Sequence, residues 1–454
     1  MPYYLLLAFG GLWAVLFLRF NRAWLYKVAL NSVAVLDTML SDKSDDEKLE
    51  ILPKATASLL GSLLLSLLLI VLAIGIAYLP YGGSEYLFGP SPERPAWLEI
   101  TALSIGASIP FFLPFRRGLS NYSELSILLH RLVLNHPAIG LRLFKRELKQ
   151  KKKAGIGARK DFVIISGLAR AGTTSLMNLL AARDELDSLS YANMPFLLSP
   201  NLWAKIYNPK KGTEKERSHK DGIKIGLKSY EALEEYYHKV AADNRFIKDN
   251  RLVEYDLRQE EVESYLDYQS LIRKSARHLY LAKNNNFLLR YKSIRKYNSD
   301  FVMVLLFREP LSHASSLMEK HRQYSEMQAQ DPFILEYMNW LGHHEFGEGH
   351  KAFQFEGQAL VEGKPQDLNY WLELWLNYYQ RALAIDDSKT LFLAYEDFCA
   401  QPNEALHRIF KAVNLSPEKT AIPAFKNSRE IEAKADPALV EKAGALYQKL
   451  KAKA

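Results

Sequence analysis

The residues best suited to chemistry in this 454-residue chain lie between Lys160 and Leu180, KDFVIISGLARAGTTSLMNLL. FVIIS is a short, continuous apolar run and predicts a buried parallel strand. Gly167 and Gly172 bracket a tight loop, and TSLMNLLAA reads as a helix. A strand, a glycine loop and a helix N-terminus in succession aim backbone N–H groups at an anion. The two glycines have the spacing of the nucleotide-triphosphate loop, but Thr173 stands where that loop needs lysine. The cation offered instead is Arg170, two residues before the second glycine.

Three later segments extend the pattern. In FVMVLLFREPLSHASSL an apolar strand ends at Arg308, and Ser316 follows eight residues on. Arginine at a strand end presents a bidentate fork to phosphate. Upstream, YLAKNNNFLLRYKSIRKYNSD carries Lys283, and TLFLAYEDFCAQPNEALHRIFKAVNL carries Tyr395 near the C-terminal end. In order and strand context these segments, over about residues 160–415, resemble the sulfotransferases that use 3′-phosphoadenosine 5′-phosphosulfate (PAPS). With Arg170 in place of the lysine of cytosolic enzymes, the resemblance is to the bacterial and tyrosylprotein-type branch.

That resemblance implies a three-layer α/β/α domain with a central parallel sheet and a phosphate-binding loop. It also implies PAPS as donor and no metal. Gly167, Ala171, Gly172, Thr173, Thr174 and Ser175 would cradle the donor, with Arg170 near its bridging oxygen. Arg308 and Ser316 would grip the 3′-phosphate, Tyr395 would flank the adenosine, and Lys283 would face the transferred sulfuryl group. Sulfuryl transfer asks for in-line positioning and charge neutralisation on the leaving oxygen.

An acceptor hydroxyl also needs a general base. The family's histidine after the lysine is Asn285 here, and the tyrosylprotein-type glutamate falls in SLSYANMPF, which has no acid. His219, with Asp221 two residues on, is the candidate, and Glu231, Glu234 and Glu235 are rivals. His321 and the cluster His343, His344 and His350 are further options. The cluster's spacing fits no standard metal site and reads as a polar lid over the acceptor.

These groups need a large domain to position them, and the chain divides accordingly. Residues 1–118 read as a membrane domain of two or three helices, 119–160 as an amphipathic helix and basic linker, and 161–454 as the catalytic domain. No charge appears from Met1 to Leu18 or from Ala55 to Ser84, and crossing the hydrocarbon core takes roughly 20 apolar residues. A third run, Ile100–Phe115, is shorter and carries Pro110 and Pro114; it spans or re-enters. The first run has no basic segment before Arg19, unlike a cleaved signal. Lys and Arg crowd the connections after the first and third runs, so the first connection is cytoplasmic and, if the third run spans, the catalytic domain also lies on the cytoplasmic side of an inner or plasma membrane. Residues 121–148 have helical apolar spacing and either lie on an anionic bilayer or pack on the catalytic domain.

Composition narrows the classes. The single cysteine, Cys399, excludes an intramolecular disulfide framework. The net charge of +8, from 59 basic and 51 acidic residues, is modest for this length, and no nucleic-acid module is present. The expected activity is sulfuryl transfer from PAPS to a hydroxyl or amine of a lipid, glycolipid or carbohydrate acceptor at the membrane. The competing readings are a P-loop kinase or NTPase and a non-catalytic membrane nucleotide-binding protein.

Overall fold

The structure, a computed structural model, describes residues 2–40, 45–88, 96–112, 124–207, 215–216, 224–225, 230–385, 387–416, 422–424 and 435–454. The chain forms two compact units, Met1–Ile139 and Gly140–Ala454.

The first unit is helical: α1 (Pro2–Phe20), α2 (Arg22–Leu40), α3 (Asp45–Phe88), α4 (Ala96–Phe112) and α5 (Glu124–Leu134). The charged stretch after the first apolar run is therefore mostly helix. Helix α1 packs on α3 and α4. Gly106 lies so close to the Ala8 carbonyl that any side chain would collide with it. Among the described residues, Glu47–Pro80 within α3 is the one helix long and apolar enough to cross a membrane. Tyr4–Phe20 with Arg22–Ala29 makes a second only if that bent pair counts as one span. Helix α4, over the third apolar run, has 17 described residues, at the short end of the roughly 17–25 that a span needs.

The second unit opens within α6 (Pro137–Lys153), where Gly140, Phe144 and Glu147 form the buried stripe. Phe144 packs on Tyr237 and Tyr268. Glu147 accepts the backbone N–H groups of Asn201 and Leu202, each at 3.0 Å. The apolar face of α6 is thus spent on the catalytic unit. The lysine run 149–153 completes the helix, lysine being a good helix former.

The core sheet is all parallel. Its members are β1 (Phe162–Ser166), β2 (Leu186–Asp187), β6 (Leu279–Lys283), β7 (Val302–Phe307) and β9 (Thr390–Ala394), in the order β2-β6-β1-β7-β9. Two small pairs lie outside it: β3 (Lys215–Glu216) with β4 (Lys224–Ile225), and β5 (Arg251–Val253) with β8 (Ala352–Gln354). The helices are α7 (Thr173–Leu180), α8 (Pro200–Ile206), α9 (Glu235–Ala241), α10 (Gln259–Ile272), α11 (Tyr291–Tyr297), α12 (Pro310–Gln330), α13 (Pro332–Leu341), α14 (Leu368–Leu383), α15 (Tyr395–Ala400), α16 (Pro402–Ala412) and α17 (Pro437–Lys451).

Every residue of β1 is buried, as its unbroken apolar run requires. Val163, Ile165, Leu281, Val304 and Leu306 face one core with Leu176, Met177 and Leu180 of α7 and Leu406, Ile409 and Phe410 of α16. Helices α12, α14 and α17 form a second helical group, and Phe307 of β7 packs on Tyr379 of α14 and Tyr447 of α17. The fold is thus α/β, a parallel sheet flanked by helices, as the sequence predicts.

Register decides where the chemistry gathers. Ile165 pairs with Lys283, Ser166 with Leu305, and Phe307 with Ala394. The loop after β1, Lys283, Arg308 and Tyr395 therefore all emerge at the carboxyl edge of adjacent strands. Open parallel sheets bind ligands at that edge.

Candidate active site

The loop Gly167–Gly172 leaves β1 with Gly167 at φ 136° and Gly172 at φ 92°. Both positions need glycine for a second reason. A Cβ at 167 would sit 2.4 Å from the Leu306 carbonyl oxygen, and one at 172 would sit 2.3 Å from Cδ2 of Tyr395. Arg170 also adopts a left-handed conformation, φ 71°, which costs a non-glycine residue about 1 kcal/mol or more. Gly172 caps α7, so the first-turn amides of Thr173 and Thr174 have no intrahelical acceptor and face an anion site.

Side chains behind the loop hold this shape. Nε2 of fully buried His313 lies 2.8 Å from the Ala169 carbonyl oxygen and donates to it. Burial pushes the His313 imidazole down to about 3, and Arg308 and Arg170 add to the effect against the opposing Ala169 bond. The ring is therefore neutral, with its proton on Nε2. The Leu168 N–H donates to the Tyr379 hydroxyl at 3.3 Å, and that hydroxyl donates to the Leu306 carbonyl at 2.8 Å. The neighbouring Tyr378 hydroxyl donates to the Asn285 carbonyl at 3.0 Å.

Arg170 and Arg308 share one locale. Arg170 Nε donates to Ser316 Oγ at 3.2 Å. The Arg308 guanidinium carbon lies 5.0 Å from the centre of the Tyr395 ring, whose edge meets Gly172. Burial raises the Tyr395 phenol to about 12, so it stays protonated. Glu309 caps α12 by accepting from Leu311 and Ser312, and Pro310 occupies its first turn. Ser316 lies beyond that first turn and is fully buried. The helix dipole therefore does little for it, and its direct partner is Arg170.

Lys283, at the end of β6, donates to Thr174 Oγ1 at 2.9 Å and to Glu231 Oε2 at 2.5 Å. Both ionic side chains are largely shielded from solvent. Of the candidate bases, Glu231 alone among the three glutamates meets Lys283. Glu234 is buried against the hydroxyls of Tyr265 and Tyr280, and Glu235 forms a two-point pair with Arg290. His219 and its neighbour Asp221 lie outside the described residues.

The histidine cluster is mostly interior. His344 and His350 are pushed down to about 4 by burial, and His350 Nε2 lies 2.8 Å from the Tyr370 hydroxyl. His321 Nδ1 accepts from the Gly347 N–H at 3.2 Å, and His343 Nε2 lies 3.1 Å from the Ala232 carbonyl. These rings brace the 342–350 turn and are bound to backbone, which differs from the polar lid expected of them.

Sequence reading missed His313, Tyr378, Tyr379 and Asn284. The first three bond backbone atoms far away in the chain and Asn284 bonds the Glu234 and Glu235 carboxylates, so no local spacing marks them.

A family model for the sulfotransferase family matches residues 162–419, more than half of the chain. Among curated proteins no sequence matches. The chain is similar to the solved sulfotransferase from Mycobacterium tuberculosis H37Rv, at 15% identity over 74% of this chain and 89% of that one, TM-score 0.38. It is also similar to one from Mycobacterium avium, at 13% identity over 82% and 86%, TM-score 0.38. A third, from Alicyclobacillus acidocaldarius, is 12% identical over 65% and 95%, TM-score 0.34. With an anion loop, two arginines and a lysine gathered on the carboxyl edge of the sheet, and with this family match, the chain belongs to the sulfotransferase family, whose norm is a PAPS donor.

Proposed function

We propose that the chain transfers the sulfuryl group of PAPS to a hydroxyl of a membrane-borne lipid, glycolipid or carbohydrate acceptor. The carrying observation is the Lys283 ammonium, held between Thr174 of the anion loop and the Glu231 carboxylate. The cradle fits a bis-anionic adenine nucleotide: glycines where a side chain would fill it, free first-turn amides, and two guanidinium groups beside a phenol ring.

In this reading Arg308, Ser316 and Tyr395 hold the nucleotide, and Arg170, Lys283 and the loop donors Gly172, Thr173 and Thr174 neutralise the sulfuryl and leaving oxygens. Glu231 replaces His219 as the proposed base. When anionic sulfuryl oxygens compete for Lys283, the Glu231 carboxylate is released to take the acceptor's proton. The acceptor oxygen then bonds to sulfur, the bond from sulfur to the bridging phosphate oxygen breaks, and adenosine 3′,5′-bisphosphate leaves.

The membrane part rests on α3. Its Leu63, Leu64, Leu67, Leu68 and Val71 are exposed, a surface suited to lipid. If α4 crosses back, the basic residues that follow the third apolar run put the catalytic unit on the same side as the basic first connection, the cytoplasmic side. Radiolabelled PAPS, incubated with membranes carrying the chain, should label a lipid-extractable product. Label confined to water-soluble products would overturn the acceptor class, and no transfer at all would overturn the reading.

A further inference from the structure

Behind Lys283 lies a buried polar network that meets β1 at Ile165 and Ser166. Asn284 is 1% exposed. Its Nδ2 donates to Glu234 Oε1 at 2.9 Å and to Glu235 Oε2 at 2.8 Å, and its Oδ1 accepts from the Asn286 N–H at 2.9 Å. Its backbone is fixed as firmly. The Asn284 N–H donates to the Ile165 carbonyl at 2.9 Å, and Ser166 Oγ donates to the Asn284 carbonyl at 3.0 Å.

The far side of the network is just as constrained. Glu234 Oε2 accepts from the Tyr265 and Tyr280 hydroxyls at 2.8 and 2.6 Å. Glu235 is held by Arg290 at 2.9 and 2.6 Å. Three donors converge on one carboxylate that burial itself raises above the usual range. The Asn284 amide and the Glu234 carboxylate are each fully engaged and rigidify the segments they join, while Arg290 Nε, Asn285 Oδ1 and Asn286 Oδ1 at the margin are buried without a hydrogen-bond partner among the described residues.

Those segments are the two that carry the reacting pair. Lys283 is the residue before Asn284, and Glu231 sits three residues before Glu234 on a turn closed by the Leu233 N–H to Glu231 carbonyl bond of 2.8 Å. We infer that Asn284 is a positioning residue: by bonding Glu234 and Glu235 at once, its amide clamps the Glu231 turn to the end of β6 and fixes the Glu231 carboxylate against the Lys283 ammonium. This rests on the reading of Glu231 and Lys283 as reacting groups. It also accounts for a polar AKNNN stretch at the end of a buried strand. Asn285 and Asn286 reach Glu345 and the Gly342 carbonyl, both at 3.2 Å, so the run sews a third segment to the same edge.

The test is Asn284→Ala in the full chain, read by single-turnover sulfuryl transfer and by calorimetric binding of adenosine 3′,5′-bisphosphate. Misplacing a reacting group by about 1 Å costs up to about 100-fold. The expected result is a 10- to 100-fold loss of turnover rate, about that scale, with nucleotide affinity within about twofold. In a Glu231→Gln background the same change should add little, because both act on one unit. Should Asn284→Ala fail to fold, Tyr280→Phe removes one donor while keeping the ring, and should give a smaller loss of rate with unchanged affinity. Unchanged turnover in a folded Asn284→Ala protein, or parallel loss of rate and nucleotide affinity in both variants, would overturn the proposal. If Glu231→Gln alone keeps full turnover, the base assignment falls separately. The clamp then stands only if Asn284→Ala still slows transfer through Lys283.

Discussion

Arg170 Nε donates to Ser316 Oγ across 3.2 Å, joining residues 146 positions apart. The cation of the anion loop is thereby aimed by the helix that follows Arg308. Removing the hydroxyl by Ser316→Ala should weaken binding of adenosine 3′,5′-bisphosphate about tenfold, the scale of one charge-assisted hydrogen bond. Isothermal calorimetry reads it directly. Arg170→Ala should chiefly slow transfer, by about 100-fold, because its charge faces the oxygens that gain charge in the reaction.

Arg308 lies against the face of Tyr395. Lysine keeps the charge there but loses the planar fork and the stacking. Arg308→Lys should therefore lower nucleotide affinity about tenfold or more and leave the melting temperature nearly unchanged. An affinity equal to that of the parent protein would remove Arg308 from the donor site.

Gly172→Ala adds a methyl group where the Tyr395 ring already lies and forces an alanine to φ 92°. The strain, about 1–3 kcal/mol, should appear as a lower unfolding midpoint together with weaker nucleotide binding. A matched change at Gly157, whose Cβ position is open, should be nearly silent.

The buried histidines give the fold a pH dependence. Burial depresses His313 to about 3 and His344 and His350 to about 4, below the unfolded value near 6.5. A depressed histidine binds fewer protons folded than unfolded. Stability is therefore complete above about pH 6.5 and falls as the pH drops toward those folded values. At pH 5 the loss should be roughly 2 kcal/mol per histidine, read from denaturant midpoints at pH 7.5 and 5. A flat profile would mean that these rings are solvated.

Leu68 lies near the middle of the Glu47–Pro80 stretch and faces outward. Arginine at the centre of a spanning helix costs about 2.5–3.5 kcal/mol. Leu68→Arg should increase the fraction of chain extracted by alkaline carbonate. Equal retention would argue that α3 does not cross the bilayer.

The sheet and its edge were legible because their signals are local. FVIIS, FVMVLLF and TLFLA are unbroken apolar runs, and each is followed at once by glycine, arginine or tyrosine at the edge where the strand stops. The identity of the proposed base was not legible. Glu231, Glu234 and Glu235 look alike in SYEALEEYYH, and only remote residues separate them: Lys283 takes the first, Tyr265 and Tyr280 the second, and Arg290 the third. His313 was hidden for the same reason, since its partner is a carbonyl 144 positions earlier. The two readings of residues 121–148 could not be separated from the sequence either. The apolar spacing of α6 is the same whether the face meets lipid or, as Phe144 does, Tyr237 and Tyr268.

The pair at the centre of the account is Glu231 and Lys283, and isosteric Glu231→Gln tests it with the least disturbance. Single-turnover transfer from radiolabelled PAPS should fall by about 100-fold or more, within the range of a lost general base, while adenosine 3′,5′-bisphosphate binds as in the parent protein. Transfer at the parent rate, with the glutamine shown to occupy the same position, would contradict it.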